Sequence, residues 1–466
     1  MEMQRAEYDV VVAGGGTAGA IAAIAAARTG ARTLVVEKYG YLGGMLSLGM
    51  SLIGARDAEG HWALGGVGRE LIDALIAAGY ATAPLPYSDS GTVAQDPEML
   101  KMYLMRMARD AGAEMLFHSV VVAATTENGQ VTSVTVANKA GLEQVSAAAY
   151  VDATGDADLV ARAGGEFTLG RCGDNLSQPV SNIFRVANVD FEKTWQYLEA
   201  HPEERAAPKG WSGEAYTMQY IREAPGAHVS SFNSLIRTAR KAGDFSIDRH
   251  RICLYTFPGR TDTVVNVTRV HGVDGTDPRQ VSQAEADLQL QTLEAMNFLR
   301  KYVPGFENSY LIALPHQLGV RESRHISGDY KLTRDDVTSG RDFSDQIGRG
   351  AYPVDIHDVT TTADTNAQGE RVTGGGLTMR RINRSYGIPL RSLLPVGLQN
   401  VVVAGRGISA DHEAAASARG QAACMVIGHA AGTASALAVQ QGRPVRRVDL
   451  KELQERLRKQ GAILER

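Results

Sequence analysis

The sequence predicts an α/β protein in which a parallel sheet with an antiparallel meander is interrupted by an inserted α+β unit. Three observations carry that expectation. A complete βαβ unit opens the chain, the same patterning returns near the C-terminus, and a long stretch between them lacks it.

Tyr8–Ala13 (YDVVVA) is a short β-branched run suited to a strand buried on both faces. Glycines follow, then the helix-forming stretch Ala18–Arg28, closed by Thr29-Gly30. Thr33–Val36 is a second buried strand ending at Glu37, so the first unit implies parallel pairing. A loop-rich excursion to Pro97 contains a helix over Val67–Ala78, and a further helix covers Pro97–Ala111. Met115–Thr125, Val131–Ala137 and Glu143–Tyr150 read as a meander, with Glu127-Asn128-Gly129 turning the first hairpin.

Composition changes after Gly165, where strand-like pieces (Asn182–Val186, Arg251–Tyr255, Thr263–Val270) accompany a helix over Ser282–Tyr302. Asn400–Ala404 then reads as another buried strand, followed by glycines and one alanine-rich helix, Ser417–Gln440. The expected division is residues 1–165 with 386–466 for the nucleotide unit, and 166–385 for a substrate or cap unit.

At 466 residues the chain is too long for one ordinary core. Its 48 basic and 52 acidic residues leave a formal charge of −4, with no basic block, which argues against nucleic acid and anionic membrane as partners. Cys172, Cys253 and Cys424 are far apart, so a disulfide scaffold, a zinc site or a dithiol redox centre is not expected, and no metal site is expected elsewhere. The polar start and the short alanine-rich apolar runs predict a cytoplasmic protein without a bilayer span. Homo-oligomerisation is compatible with the sequence.

The motifs narrow the chemistry. Gly14-x-Gly16-x-x-Gly19 places one glycine for the strand-to-helix turn, one for close approach to a pyrophosphate, and one for helix–strand packing. Glu37 lies eighteen residues beyond Gly19, where a carboxylate binds ribose hydroxyls. This much means only a dinucleotide. Val151–Ala161 (VDATGDADLVA), with Thr154-Gly155-Asp156 at its centre, and Asn400–Ala438, with its Gly405-Arg406-Gly407 turn, resemble the signatures of FAD enzymes with the glutathione-reductase-type fold.

Leu314–Tyr330, Gly348–Asp358 and Tyr386–Pro395 extend the likeness, and the chain resembles a bacterial family of FAD-dependent oxidoreductases. That family is similar in its flavin domain to fumarate reductase and heterodisulfide reductase flavoproteins. The resemblance implies a Rossmann-like FAD-binding domain. It also implies cofactor contacts at Thr17, Ala18, Lys38, Gly43, Gly44, Met45, Val121, Ala414 and Ala418. It does not name a substrate or an electron acceptor. Covalent attachment of the flavin and the direction of redox also stay open.

Candidate chemistry lies in the insert. Arg321, Glu322, Arg324 and His325 are packed into five residues, and Arg321 and Arg324 could clamp a carboxylate or join an internal ion-pair network. Tyr352, Asp355 and His357 offer a phenol, an acid and an imidazole on one face of a strand-like segment. His412 follows the late glycine turn. Gly374-Gly375-Gly376 has no strand–helix context and reads as a loop, so no second nucleotide fingerprint is present. The leading expectation is hydride exchange between a small organic substrate and the flavin. The competing ones are an electron-relay subunit without its own substrate, and a structural use of FAD.

Overall fold

A computed structural model describes residues 7–85, 91–205, 217–223, 226, 228–359, 362–365, 371–374 and 377–466. Its first strand, β1 (Tyr8–Ala13), is almost wholly buried, as a β-branched run in the middle of a sheet must be. The helix α1 (Thr17–Arg28) leads to β2 (Thr33–Glu37), which pairs with β1 in parallel. After helices α2 (Gly66–Ala77) and α3 (Pro97–Asp110), β3 (Glu114–Phe117) adds to the free edge of β2, also in parallel.

The expected first meander strand is therefore two strands. His118 takes a φ of +52°, the chain turns, and β4 (Val120–Glu127) starts a separate antiparallel sheet with β5 (Gln130–Asn138) and β6 (Gly141–Val145). The third expected strand divides in the same way at Ser146. The solvent-facing β6 stays in the meander, whereas the buried β7 (Ala147–Asp152) crosses to β1. Alternation signals one exposed face, and continuous burial signals a central parallel strand. The strand Val401–Val403 completes the order Val401–Val403, β7, β1, β2, β3, all parallel.

The single C-terminal helix expected over Ser417–Gln440 is two helices, His412–Ala418 and Gln421–Gln440, broken at Arg419-Gly420. The second is long and apolar enough to cross a bilayer, yet 94% of its most apolar window is buried inside the protein. Its Gly428 and Gly432 press against the backbone of Ala18 and Ala22, where any Cβ would collide with a carbonyl oxygen. Small residues on both helices thus let α1 lie close and fix the direction of its N-terminus.

A second sheet is antiparallel throughout. A short separate strand, β8 (Phe167–Leu169), precedes it, and its strands are β9 (Ile183–Ala187), β10 (His228–Ser231), β11 (Ile252–Thr256), β12 (Thr263–Asn266) and β13 (Tyr310–Ala313), in the order β10, β11, β12, β9, β13. One face carries Val229, Leu254, Val265 and Phe184 in register and packs on Phe298 and Leu299 of the helix Pro278–Tyr302. The opposite face carries the row Ser230, Cys253, Asn266 and Ile183, flanked by His228 and Tyr255. The first core draws side chains from the N-terminal third and again from Ile326 onward; the second lies between Phe184 and Phe306. Gly374 ends the short strand Arg371–Gly374, while Gly375 and Gly376 lie outside the described residues.

Candidate functional site

A cavity of about 480 Å³ joins the two sheets. At its outer end the backbone does the shaping. Gly14 has a φ of +95°, and a Cβ there would stand 2.5 Å from the Ala153 carbonyl oxygen, so only glycine lets β1 turn this close to the end of β7. A Cβ on Gly19 would run into the Gly14 carbonyl. Gly16 differs: a Cβ there meets nothing within 4 Å and would project into the open site. No side chain caps α1, so its first amides remain for a ligand.

Glu37 accepts from Gly15 N–H at 2.6 Å and from Tyr39 N–H at 2.9 Å. Burial raises its carboxyl above the usual range, opposed by those two amides. Asp152 is an organiser: it accepts from Thr154 N–H (3.1 Å), the Thr154 hydroxyl (2.7 Å) and Val160 N–H (2.9 Å). Arg406 bonds Asp156 Oδ1 at 2.5 Å and lies against Gly155, whose φ is +86°. The Arg406 Nε is buried without a partner, an unanswered donor on the phosphate side of the turn. A glycine cradle, exposed helix amides, a carboxylate ending β2 and this guanidinium fit FAD.

Of the residues singled out for the cofactor, Gly14, Gly16, Thr17, Ala18, Glu37, Lys38, Gly44, Met45, Val121, Thr154, Gly155, Asp156, Gly405 and Arg406 line this cavity. Gly19, Gly43, Ala414 and Ala418 do not. Gly43 supports from behind, accepting from the Thr17 hydroxyl at 3.1 Å and donating its N–H to Gly15 O at 2.9 Å. Because the late helix breaks at Gly420, Arg419, Gly420, Gln421 and Cys424 face the cavity in place of Ala414 and Ala418.

The inner end is built by side chains. His228, Ser230, Cys253, Tyr255 and Asn266 come from the polar face of the second sheet, and Arg249, Arg321, Tyr352, Asp355, His357 and Arg419 close around them. Tyr352 lies ahead of the strand Val354–His357, and its hydroxyl folds back to donate to Asp355 Oδ2 at 2.7 Å. Arg419 bonds the Asp355 carboxylate at 3.2 Å and its carbonyl at 2.8 Å. His357 Nδ1 lies 2.8 Å from Arg269 Nη2. A guanidinium only donates, so Nδ1 is the acceptor and the ring proton sits on Nε2, 3.4 Å from Asp355 Oδ1.

Burial, then the charge of Arg321, keeps His357 well below its ordinary 6.5 and therefore neutral. Burial alone would raise the Asp355 carboxyl, but His357, Arg419 and the Tyr352 hydroxyl hold it well below the usual carboxylate range. Burial and the neighbouring Arg419 and Arg249 push Arg321 down to about 10. Burial with Arg249 and Arg321 takes Arg269 down to about 8.

Arg324 and His412 lie off the cavity. Arg324 donates to Asp156 O at 3.0 Å and Asp158 Oδ1 at 2.8 Å, tying β14 (Arg324–Ile326), paired with β8, to the turn after β7. His412 meets Glu322 Oε1 at 2.8 Å, and His325 meets the same oxygen at 3.2 Å. Burial would raise Glu322, yet these two histidines bring it down to about 2. His228, Arg249, Cys253, Tyr255 and Asn266 were not foreseen. For His228, Cys253 and Tyr255 the signal is the alternation in HVSS and ICLYT, which places these side chains at every second position of two strands, whereas Arg249 and Asn266 lie outside those segments.

This fold and cradle define a flavoprotein oxidoreductase. The family described as FAD dependent oxidoreductase matches residues 9–457, and the chain belongs to it. FAD is its cofactor. No curated protein matches the chain. Among solved structures, it is similar to a geranylgeranyl bacteriochlorophyll reductase-like protein from Thermoplasma acidophilum, with 14% identity, 98% of this chain and 84% of that one covered, and a TM-score of 0.45. It is also similar to the flavin-dependent brominase Bmp2 (15% identity, 97% and 83% covered, TM-score 0.46). A p-nitrophenol 4-monooxygenase from Pseudomonas putida gives 11%, 96% and 82%, and a TM-score of 0.46.

Proposed function

We propose that the protein exchanges hydride between a small organic substrate and FAD, with the substrate held at the inner end of the cavity, between the insert and the flavin unit. The carrying observation is continuity: one cavity runs from the Gly14 and Gly16 turn to the polar face of the second sheet. FAD, when bound, supplies the hydride-accepting or hydride-donating centre. The chain's own residues bind and orient. Arg249 and Arg321 present guanidinium donors to the substrate, Arg419 fixes Asp355, and Asp355 fixes the Tyr352 hydroxyl as the proton-bearing group on that wall. His357, pinned between Arg269 and Asp355, positions rather than titrates.

Saturation of a double bond, as in fumarate-reductase-like relatives, is the same chemistry in reverse. The sequence does not choose the direction. The test is anaerobic mixing of the FAD-loaded protein with a metabolite panel, followed at the flavin absorption band. Bleaching by one compound, or re-oxidation of reduced protein by its product, is expected. Reduction by a partner protein alone, with every small molecule inert, would overturn the proposal in favour of an electron relay.

A further inference from the structure

We infer that the substrate of this pocket carries two negative charges. The inference rests on the proposed placement of the substrate at the inner end of the cavity. Arg249, Arg321 and Arg419 line that end, and Arg269 stands behind it through His357. Among the described residues the carboxylates facing this set are Asp355 and Asp248, so four guanidiniums face two acids, an excess of two positive charges. The other titratable groups at this inner end, His228, His357, Tyr255 and Tyr352, add no negative charge at neutral pH. Burial pushes His228 down to about 4, His357 is neutral, and the Tyr255 and Tyr352 hydroxyls are raised by burial. Glu285 accepts from Asn182 Nδ2 at 2.9 Å and keeps its charge, but it lies toward Tyr39, at the cofactor end of the cavity.

Asp355 bonds Arg419, whereas Asp248 lies 3.4 Å from His271, has no hydrogen-bond partner on either oxygen and faces Arg269. Among the described residues no carboxylate pairs with Arg249 or Arg321. Arg321 spends one N–H on Pro179 O at 2.5 Å, and Arg249 reaches Cys253 Sγ at 4.0 Å. Arg269 is 3% exposed, and its Nε and Nη1 are buried without a partner. A buried, unpaired cation is costly, and arginine does not readily shed its proton to escape that cost. The FAD pyrophosphate cannot answer these charges, because its cradle lies at the other end, with Arg406.

What remains is the ligand. Guanidinium forks match carboxylate and phosphate oxygens in bidentate fashion, so a dicarboxylate or a phosphate monoester has the required chemistry. A monoanion would leave one buried charge unanswered.

Isothermal titration of the FAD-loaded protein with succinate, inorganic phosphate and butyrate tests this. One of the two dianionic probes should bind at least about tenfold more tightly than butyrate, and whichever does names the class. Arg249→Gln and Arg321→Gln should each weaken that probe about a hundredfold, as removing one partner of a buried charge pair does, and Arg249→Lys should restore part of the loss. FAD retention and the thermal midpoint report whether each variant is folded. Dianions binding no better than butyrate, or binding unchanged to folded Arg249→Gln and Arg321→Gln, would overturn the inference. The flavin redox reading would survive that result, since it is judged by bleaching alone.

Discussion

Gly16 and Gly19 sit three residues apart in one turn, yet substitution by alanine should have opposite signatures. At Gly19 the new methyl would meet the Gly14 carbonyl oxygen and press on Ala153 Cβ at 2.9 Å, both fixed by the sheet. Relief requires α1 to move off β1, so Gly19→Ala should cost about 3 kcal/mol or more of stability, the upper part of the overpacking range. At Gly16 the methyl meets nothing within 4 Å, and its φ of −67° is open to alanine. Gly16→Ala should therefore leave the apoprotein within about 0.5 kcal/mol of the parent. The methyl occupies the space through which a phosphate reaches the α1 amides. Losing one charged hydrogen bond, worth about 1.5–3 kcal/mol, should weaken FAD binding about tenfold to a hundredfold. Chemical denaturation of both apoproteins and fluorescence titration with FAD measure the two quantities. If Gly16→Ala binds FAD as tightly as the parent, the pyrophosphate does not lie over this turn and the cradle has been misread.

Three further outcomes are expected. Glu37→Ala removes the acceptor for Gly15 N–H and the carboxylate at the end of β2, and should weaken FAD about tenfold in the same titration. Gly432→Ala would force a methyl into the Ala22 carbonyl and should lower stability by about 3 kcal/mol, visible as a thermal midpoint several degrees lower. His228, stacked on Tyr255, is lowered from 6.5 to about 4 by burial. The unfolded chain then binds a proton below pH 6.5 that the folded protein refuses, so stability is full above that pH and falls as the pH drops toward 4. The His228 share of the loss between pH 7 and 5 is about 2 kcal/mol and should vanish in His228→Phe, measured by denaturant unfolding at both pH values.

What could be read from the sequence was what is local. The turn Gly14–Gly19 and the acid Glu37 belong to one βαβ unit, and Thr154–Asp156 follows a strand that pairs directly with it. Backbone requirements leave their mark on neighbouring residues. The inner pocket has no such mark, because Ser230, Cys253 and Asn266 become adjacent only through the register of β10, β11 and β12. Arg249 and Arg269 are twenty positions apart and share the region through tertiary packing. The misreadings have the same origin. Arg324 stands three residues from Arg321 but ties the insert to Asp156 and Asp158, because local crowding of charges does not reveal which way each points. The helix break at Gly420 is hidden in alanine-rich sequence on both sides, and the residue there must be glycine because Tyr352 Cβ would lie 2.6 Å from a Cβ on residue 420.

The two ends of the cavity consequently respond differently to genetic drift. The flavin end is made largely of main chain, where a Cβ added at Gly14 or Gly19 strikes a carbonyl and one added at Gly16 enters the space of the cofactor, so change there is felt in folding or in FAD binding. The far end is a floor of exchangeable polar side chains, Ser230, Cys253 and Asn266, standing on a sheet whose other face packs on the helix Pro278–Tyr302. Exchanging them would retailor the contour offered to a substrate without disturbing either the core beneath or the cofactor beside it. A lineage with this arrangement can change its diet while keeping its engine.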